Sequence, residues 1–474
     1  MFKRLPGDTS GLVTTTPETS VVFAPTVIRT PAIVTLVIWA FRLVAGVVRL
    51  VIRHPIAVAV TGGTAALWVR FDWQEAAMVT GVMLAEVGLL WVVAPRLWAR
   101  WIGWRLVAWA RMTFVYGPRW QSTMAIAGLT ASIKGRVFVP RLVRVRCSGW
   151  ADVLTVRMLR GQAPGAWAER TPNLLSGLGG VSCRVAVLKG ARLRVTIVRR
   201  DELAVPLAAL PVPEVATVGP VEIGRQENGE PYRLKVHGTH VLVAGATGAG
   251  KGSYIWSVIR GLLPAMAAGL VEVWALDPKR MELSFGRRLF GKRYAATPEE
   301  CTELLERAVR VMQERADRYA GRRRSHVPTP DDPFVLVIVD EVAFLTAYQE
   351  DRGLRHRILA ALATLTTQGR AVGVGVLAAL QDPRKEVLTI RNLFPDKIAL
   401  RLDEAEQVDM VLGDGARDRG ALADEISQTQ VEGAGVGYVR LEGSPDPVRV
   451  RAAYVSDDDI RNMERGYGVD GGTW

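Results

Sequence analysis

Cysteine is nearly missing from this chain: Cys147, Cys183 and Cys301 stand far apart in 474 residues, with no Cys-x-x-Cys pair, and only five histidines occur. That spacing supports neither a disulfide framework nor a Cys/His zinc site, and it suits a reducing interior. Acidic residues are also short, 47 Asp and Glu against 60 Lys and Arg, for a formal net charge of +13. The excess points to a polyanionic partner, nucleic acid or an anionic membrane surface, although an ordinary basic soluble protein has the same balance. No internal repeat, long low-complexity tract or convincing cleavable signal is present. What the chain has in quantity is apolar residues, 49% of the total, and a length that predicts about three folded units with a sizeable core.

Residues 1–30 are rich in Thr, Pro and Ser without a helical period and read as a disordered cytoplasmic lead. Residues 31–110 read as a membrane-associated region. Within it, 32–53 is apolar yet carries Arg42, Arg49 and Arg53 along one helical face, the pattern of a helix lying in the interface. Two cleaner apolar runs follow at about 55–70 and 76–94, separated by Asp72, Trp73, Gln74 and Glu75. Arginines bracket the pair, Arg49 and Arg53 before it and Arg96, Arg100 and Arg105 after it, so a transmembrane hairpin with both ends cytoplasmic is the expectation. The short first run and Glu86 in the second leave a buried core hairpin as the alternative.

Periodicity then changes. Residues 111–205 hold short β-like runs at 142–146, 153–159, 182–188 and 192–198 with a helix-compatible segment inside, which predicts a small α/β adaptor domain. Prolines at 206, 211, 213 and 220 mark a linker, so 206–237 reads as linker and first strands. Apolar strands alternate with helical segments across 238–455, the pattern of a parallel sheet wrapped by helices, and 456–474 is a tail.

The strongest motif follows the apolar strand at His240: Gly245-Ala246-Thr247-Gly248-Ala249-Gly250-Lys251-Gly252-Ser253. Phosphates need close backbone approach, which glycines permit, together with a cation and a helix N-terminus, and this stretch offers all three. It matches the P-loop pattern except that Gly252 stands where Ser or Thr is expected, with Ser253 one place later. A second apolar strand ends in Asp340-Glu341, which places Asp340 to hold magnesium and Glu341 to orient or deprotonate the attacking water. ATP and Mg2+ are the expected ligands, with Asp340 and Ser253 as the metal-holding candidates.

Further motifs are Asp277-Pro-Lys-Arg-Met-Glu-Leu, Gly369-Arg370-Ala-Val-Gly373, Leu377-Ala-Ala-Leu-Gln381 and Phe394-Pro-Asp-Lys-Ile-Ala-Leu-Arg401. In this wording and order, over roughly 238–443, the chain resembles the FtsK/SpoIIIE motors, and its Gly-Ala-Gly-Lys-Gly-Ser run with a short hairpin looks closer to the mobile-element transfer proteins of actinomycetes. The resemblance implies a RecA-like P-loop NTPase fold and an ATP-driven double-stranded DNA translocase held at the plasma membrane with its motor cytoplasmic. It also implies a homo-oligomer, a hexameric ring, whose DNA is gripped through phosphates. Gln381 becomes the γ-phosphate sensor and Arg401, then Arg391, the arginine that completes a neighbour's site. Arg315, Arg318, Arg322, Arg323 and Arg324 are a candidate DNA surface, or simply a solvated face.

Conjugative transfer of plasmid or integrative-element DNA is the expected setting, with mobile-element transfer proteins as partners. The alternatives are a chromosome-segregating division motor working with division proteins, a non-hydrolysing membrane DNA tether, for which Gly252 speaks, and a coupling ATPase that moves a single strand.

Overall fold

The computed structural model describes residues 55–70, 72–133, 135–384, 389–440 and 446–468. The expected disordered lead at 1–30 and interfacial helix at 32–53 lie outside the described residues. The chain divides into two compact units, 1–107 with 132–137, and 108–131 with 138–474.

In the first unit the two apolar runs are helices, α1 (Pro55–Arg70) and α2 (Trp73–Val93). With 16 residues, α1 extends about 24 Å, less than the roughly 30 Å hydrocarbon core of a bilayer. The 21-residue α2, with a mean hydropathy of 2.0, is the one helix among the described residues long and apolar enough to cross a membrane. Trp73, Met78, Leu84 and Trp91 of α2 are all exposed and Ala76 alone is buried. The Trp68 indole donates to the Thr80 hydroxyl at 3.2 Å across the pair.

The second unit contains two sheets. The adaptor is built from α3 (Gly117–Ile126), β1 (Arg141–Cys147), β2 (Ala151–Arg157), α4 (Pro164–Glu169), α5 (Thr171–Leu178), β3 (Ser182–Leu188) and β4 (Arg192–Val198). Its sheet runs β1-β2-β4-β3 and is antiparallel throughout. Alternation in β4 sends Leu193, Val195 and Ile197 into a core with Trp120, Met124, Trp167 and Leu174, while Arg192 and Arg194 stay outside it.

The larger sheet has ten strands. Its elements are β5 (Val221–Gln226), β6 (Pro231–Leu234), β7 (Val241–Ala244), α6 (Lys251–Ala267), β8 (Val271–Leu276), β9 (Tyr294–Ala295), α7 (Pro298–Tyr319), β10 (Phe334–Val339), α8 (Arg352–Gln368), β11 (Val374–Leu380), β12 (Asp396–Leu400), α9 (Ala405–Leu412), β13 (Val436–Arg440), β14 (Val448–Ala452) and α10 (Asp457–Tyr467). The order is β9-β8-β10-β11-β7-β12-β13-β14-β5-β6, parallel from β9 to β12 and antiparallel beyond.

The central strands are apolar end to end because both faces are covered. Val243 and Ile338 face a core shared with Ile255, Ile259 and Leu262 of α6. Leu242, Val337 and Val376 face one shared with Leu305 and Met312 of α7 and Ile358 and Leu362 of α8. Register then aligns the strand ends: Leu276 pairs with Val339, Val339 with Ala378, Leu380 with Ala244, and Ala244 with Ala399. The residues that leave these strands, Asp277, Asp340, Gln381, Gly245 and Arg401, therefore emerge on one edge. The fold expected for the motor and the adaptor is the one observed; the antiparallel extension from β13 to β6 was not part of that expectation.

Candidate active site

At the end of β7 the Gly245 N–H donates to the Leu380 carbonyl at 3.0 Å and the Ala246 N–H to the Arg401 carbonyl at 2.8 Å, so the loop leaves the sheet between β11 and β12. Gly248 (φ +74°) and Gly250 (φ +93°) take left-handed backbone that a larger residue would strain. A side chain at Gly250 would also strike the backbone of Gly435, whose N–H donates to the Ala249 carbonyl at 2.9 Å. Helix α6 begins at Lys251, which turns its first N–H groups and the positive end of its dipole toward the loop. The Lys251 ammonium folds over the loop, donating to the Gly245 carbonyl at 2.7 Å and the Ala246 carbonyl at 3.2 Å. Burial lowers the Lys251 pKa, and the Glu341 and Asp340 carboxylates offset that in part.

The carboxylates arrive from two strands. Asp340, 9% exposed, follows β10, and burial, then the charges of Glu282, Asp277 and Glu341, push its carboxyl up to about 7 against the pull of Lys251. Glu341 sits at φ +58°, a conformation that side-chain-bearing residues seldom adopt. Its Oε1 accepts the Gln381 N–H at 3.3 Å and its Oε2 faces the Lys279 ammonium at 3.4 Å. Glu341 thus ties the Asp-Pro-Lys turn to the end of β11.

That turn is organised by Asp277, which is fully buried. Its Oδ1 accepts the Met281 N–H at 3.3 Å and its Oδ2 the Ser284 N–H at 3.0 Å, with Arg280, just before Met281, in left-handed backbone at φ +57°. Wrapped in this way, the turn brings Glu282 to the start of α6, where its Oε1 accepts the Trp256 indole N–H at 2.9 Å. Burial raises the Glu282 pKa.

The oxygen donors present suit a hard cation. Among the described residues no three His, Cys, Asp or Glu side chains form a metal cage; magnesium is ordinarily held by one or two carboxylates plus the substrate's phosphates. Asp340, buried at the end of β10, is a residue that could hold such an ion. Ser253 is turned about 100° around the helix from Gly252. Glu282, which sequence reading did not single out, supplies the atoms that a Cβ at Gly252 would meet first beyond its chain neighbours.

Gln381 is at the rim, its side-chain oxygen 3.4 Å from the Thr247 hydroxyl. Arg401 is engaged on its own chain, donating to the Thr247 carbonyl at 2.6 Å and the Gln428 carbonyl at 3.2 Å, and its Nε is buried without a partner. Arg391 is buried and donates to the Pro383 carbonyl at 2.5 Å, so it is not free to enter a neighbour's site. Arg315 does not belong to a DNA-facing surface: it is 4% exposed and holds the Val372, Gly373 and Pro333 carbonyls and the Asp332 carboxylate. Arg318 pairs with Asp332 at 3.0 Å, while Arg322, Arg323 and Arg324 are exposed. The Gly369-to-Gly373 run is structural, since a side chain at Gly373 would collide with His326.

A phosphate-binding loop between parallel strands, followed by a helix and flanked by a strand ending in Asp-Glu, defines the class of P-loop ATPase domains. Within that class, residues 216–409 match the FtsK/SpoIIIE family. The DNA translocase FtsK of Staphylococcus epidermidis is 26% identical over 266 residues, 51% of this chain and 31% of its own length. That of Bacillus cereus is 26% identical over 264 residues with the same coverage. The chain therefore spans under a third of these curated relatives. Among solved structures, the pCW3 conjugation coupling protein TcpA, in monomer form with ATPgS, aligns with a TM-score of 0.48 at 19% identity, over 73% of this chain and 98% of that one.

Proposed function

We propose that this chain hydrolyses ATP and uses the energy to move double-stranded DNA, as a membrane-anchored, ring-forming translocase that passes plasmid or integrative-element DNA between cells. The observation that carries the reading is the strand register, which sets Lys251, Asp340, Glu341 and Gln381 around one phosphate-binding loop. Lys251, now resting on loop carbonyls, exchanges them for β- and γ-phosphate oxygens. Glu341, held by the Gln381 N–H and Lys279, takes the proton of the attacking water. Asp340 would hold Mg2+, which would supply charge neutralisation to the phosphates. Gln381, linked through its backbone to Glu341 and through its side chain to Thr247, couples loss of the γ-phosphate to movement of the β11 end. Arg401 braces the loop in its own subunit.

The net charge of +13 and the exposed arginines at 322–324 support a polyanionic track gripped through phosphates. Helix α2, apolar and exposed along its length, supports anchoring in a membrane. The conjugative setting rests on the Gly-Ala-Gly-Lys-Gly-Ser wording and on the direct succession of hairpin and adaptor. Gly252 favours the competing reading of a tether without turnover.

The deciding experiment is the steady-state ATPase rate of the full chain in detergent or nanodiscs, with long duplex, with single-stranded DNA and without DNA, beside Lys251→Ala and Glu341→Gln. Strong stimulation by duplex, lost in both variants, is expected. ATP binding without turnover under every DNA condition would establish the tether instead, and equal stimulation by single strands would favour a single-strand coupling ATPase.

A further inference from the structure

At position 252 the P-loop pattern calls for a hydroxyl, and the structure shows what stands in its place. A Cβ built on Gly252 would run into the Glu282 carboxylate, meeting Oε1 first, with Cδ 2.7 Å and Oε2 2.9 Å away. The direction along which a serine or threonine would present its hydroxyl to the cation is therefore filled by a carboxylate from the Asp-Pro-Lys-Arg-Met-Glu segment. Its placement is built, not incidental. Asp277 gathers the Met281 and Ser284 N–H groups on either side of Glu282, and the Trp256 indole, 1% exposed and next to Phe290, donates to Oε1. That bond leaves Oε2 available.

We propose that Glu282 substitutes for the missing P-loop hydroxyl, serving with Asp340 as the second carboxylate toward the nucleotide's divalent cation, and that residue 252 is glycine to make room for it. The inference rests on the reading of this loop as an ATP site. A hard cation shared between one or two carboxylates and phosphate oxygens is an ordinary magnesium arrangement, so an anionic donor can stand in for a neutral one. The exchange has a consequence that a hydroxyl would not bring. With Glu282 beside Asp340 and Asp277, phosphates arriving without a cation meet several negative charges, and nucleotide affinity becomes steeply dependent on the metal.

The test uses the full chain in detergent, ATPγS as nucleotide and Mn2+ as a paramagnetic stand-in for Mg2+. Free Mn2+ is read by electron paramagnetic resonance, and ATPγS affinity is measured separately in excess EDTA. For Glu282→Gln the expected result is Mn2+ affinity in the nucleotide complex lowered by about 10- to 100-fold, together with tighter binding of metal-free ATPγS. A Glu282 that merely accepts the Trp256 bond would lower both affinities or neither, and either result overturns the proposal. Gly252→Ser alone should lose Mn2+ binding through collision with Glu282, and Gly252→Ser with Glu282→Ala should regain it as the hydroxyl takes over. A double variant no better than Gly252→Ser also overturns it. ATPγS failing to bind the unaltered chain with or without Mn2+ would overturn the nucleotide-site reading itself, an outcome separate from an unaltered chain that binds and a Glu282→Gln that binds equally well.

Discussion

Asp152 in the adaptor and Asp340 in the motor are both buried aspartates on sheet strands or at their ends, and their surroundings are opposite. Asp152, wholly buried, meets Arg111, the Arg199 Nε at 2.8 Å and the Tyr116 hydroxyl at 2.5 Å, and Arg199 also donates to that hydroxyl at 2.6 Å. Burial pushes its carboxyl up, but hydrogen bonds from Cys147, Tyr116 and Arg199 and the charge of Arg111 outweigh this and leave it below its ordinary value. Asp340 is instead crowded by Glu282, Asp277 and Glu341, with Lys251 opposing them. A charge neutralised inside the fold holds the adaptor's α3 approach to its sheet. One crowded by like charges at a strand end marks a candidate functional position.

Glu341→Gln should show the largest effect. Turnover is expected to fall by about 10²- to 10⁴-fold while ATPγS affinity and the melting temperature stay close to those of the parent; unchanged turnover would remove Glu341 from the chemistry. Asp152→Asn acts on the matched centre and should instead lower stability by about 3 kcal/mol, because two arginines lose their acid. Urea unfolding measures this, and a loss below about 1 kcal/mol would mean that solvent already screens the cluster. Asp340→Asn is predicted to have the opposite sign, stabilising the nucleotide-free protein by about 1 kcal/mol while abolishing turnover. A melting temperature that drops as it does for Asp152→Asn would end the contrast between the two centres.

Acidity should separate the two regions more gently. Burial holds His240 and His326 of the motor down to about 4, against an ordinary 6.5. Between those values the unfolded chain binds protons that the folded motor refuses, so their contribution is complete above 6.5 and is lost as pH falls toward about 4. Asp152, depressed below its ordinary 3.8, keeps its contribution until pH falls below that value. Hydrogen exchange from about pH 7 to about pH 5, corrected for intrinsic rates, should therefore show motor amides losing protection before those of β2 and β4. Parallel loss in both sheets would assign the acid sensitivity elsewhere.

Much of this was legible beforehand. The adaptor runs expected at 182–188 and 192–198 are the strands Ser182–Leu188 and Arg192–Val198, because alternation is written residue by residue in a half-buried antiparallel strand. The phosphate loop and the Asp340-Glu341 strand end were equally plain, since glycine spacing and a continuous apolar run are local. Arg315 misled, because a basic run at a helix end looks the same whether one member turns inward to cap three carbonyls or all of them face water. Glu282 was passed over although its motif was recognised, and the one hint was the glycine at 252.

By itself the sequence determined which segments are strands, where the loop and its lysine fall, and that a P-loop domain follows an apolar hairpin; these are properties of neighbours along the chain. Only the tertiary structure decided which carboxylates stand together and which are neutralised. Asp277, Glu282 and Asp340 meet because parallel strands from distant parts of the chain end in register, and Glu282 lies against Gly252 because Asp277 folds the turn back onto the helix. Such juxtapositions depend on packing between segments, which no local pattern encodes.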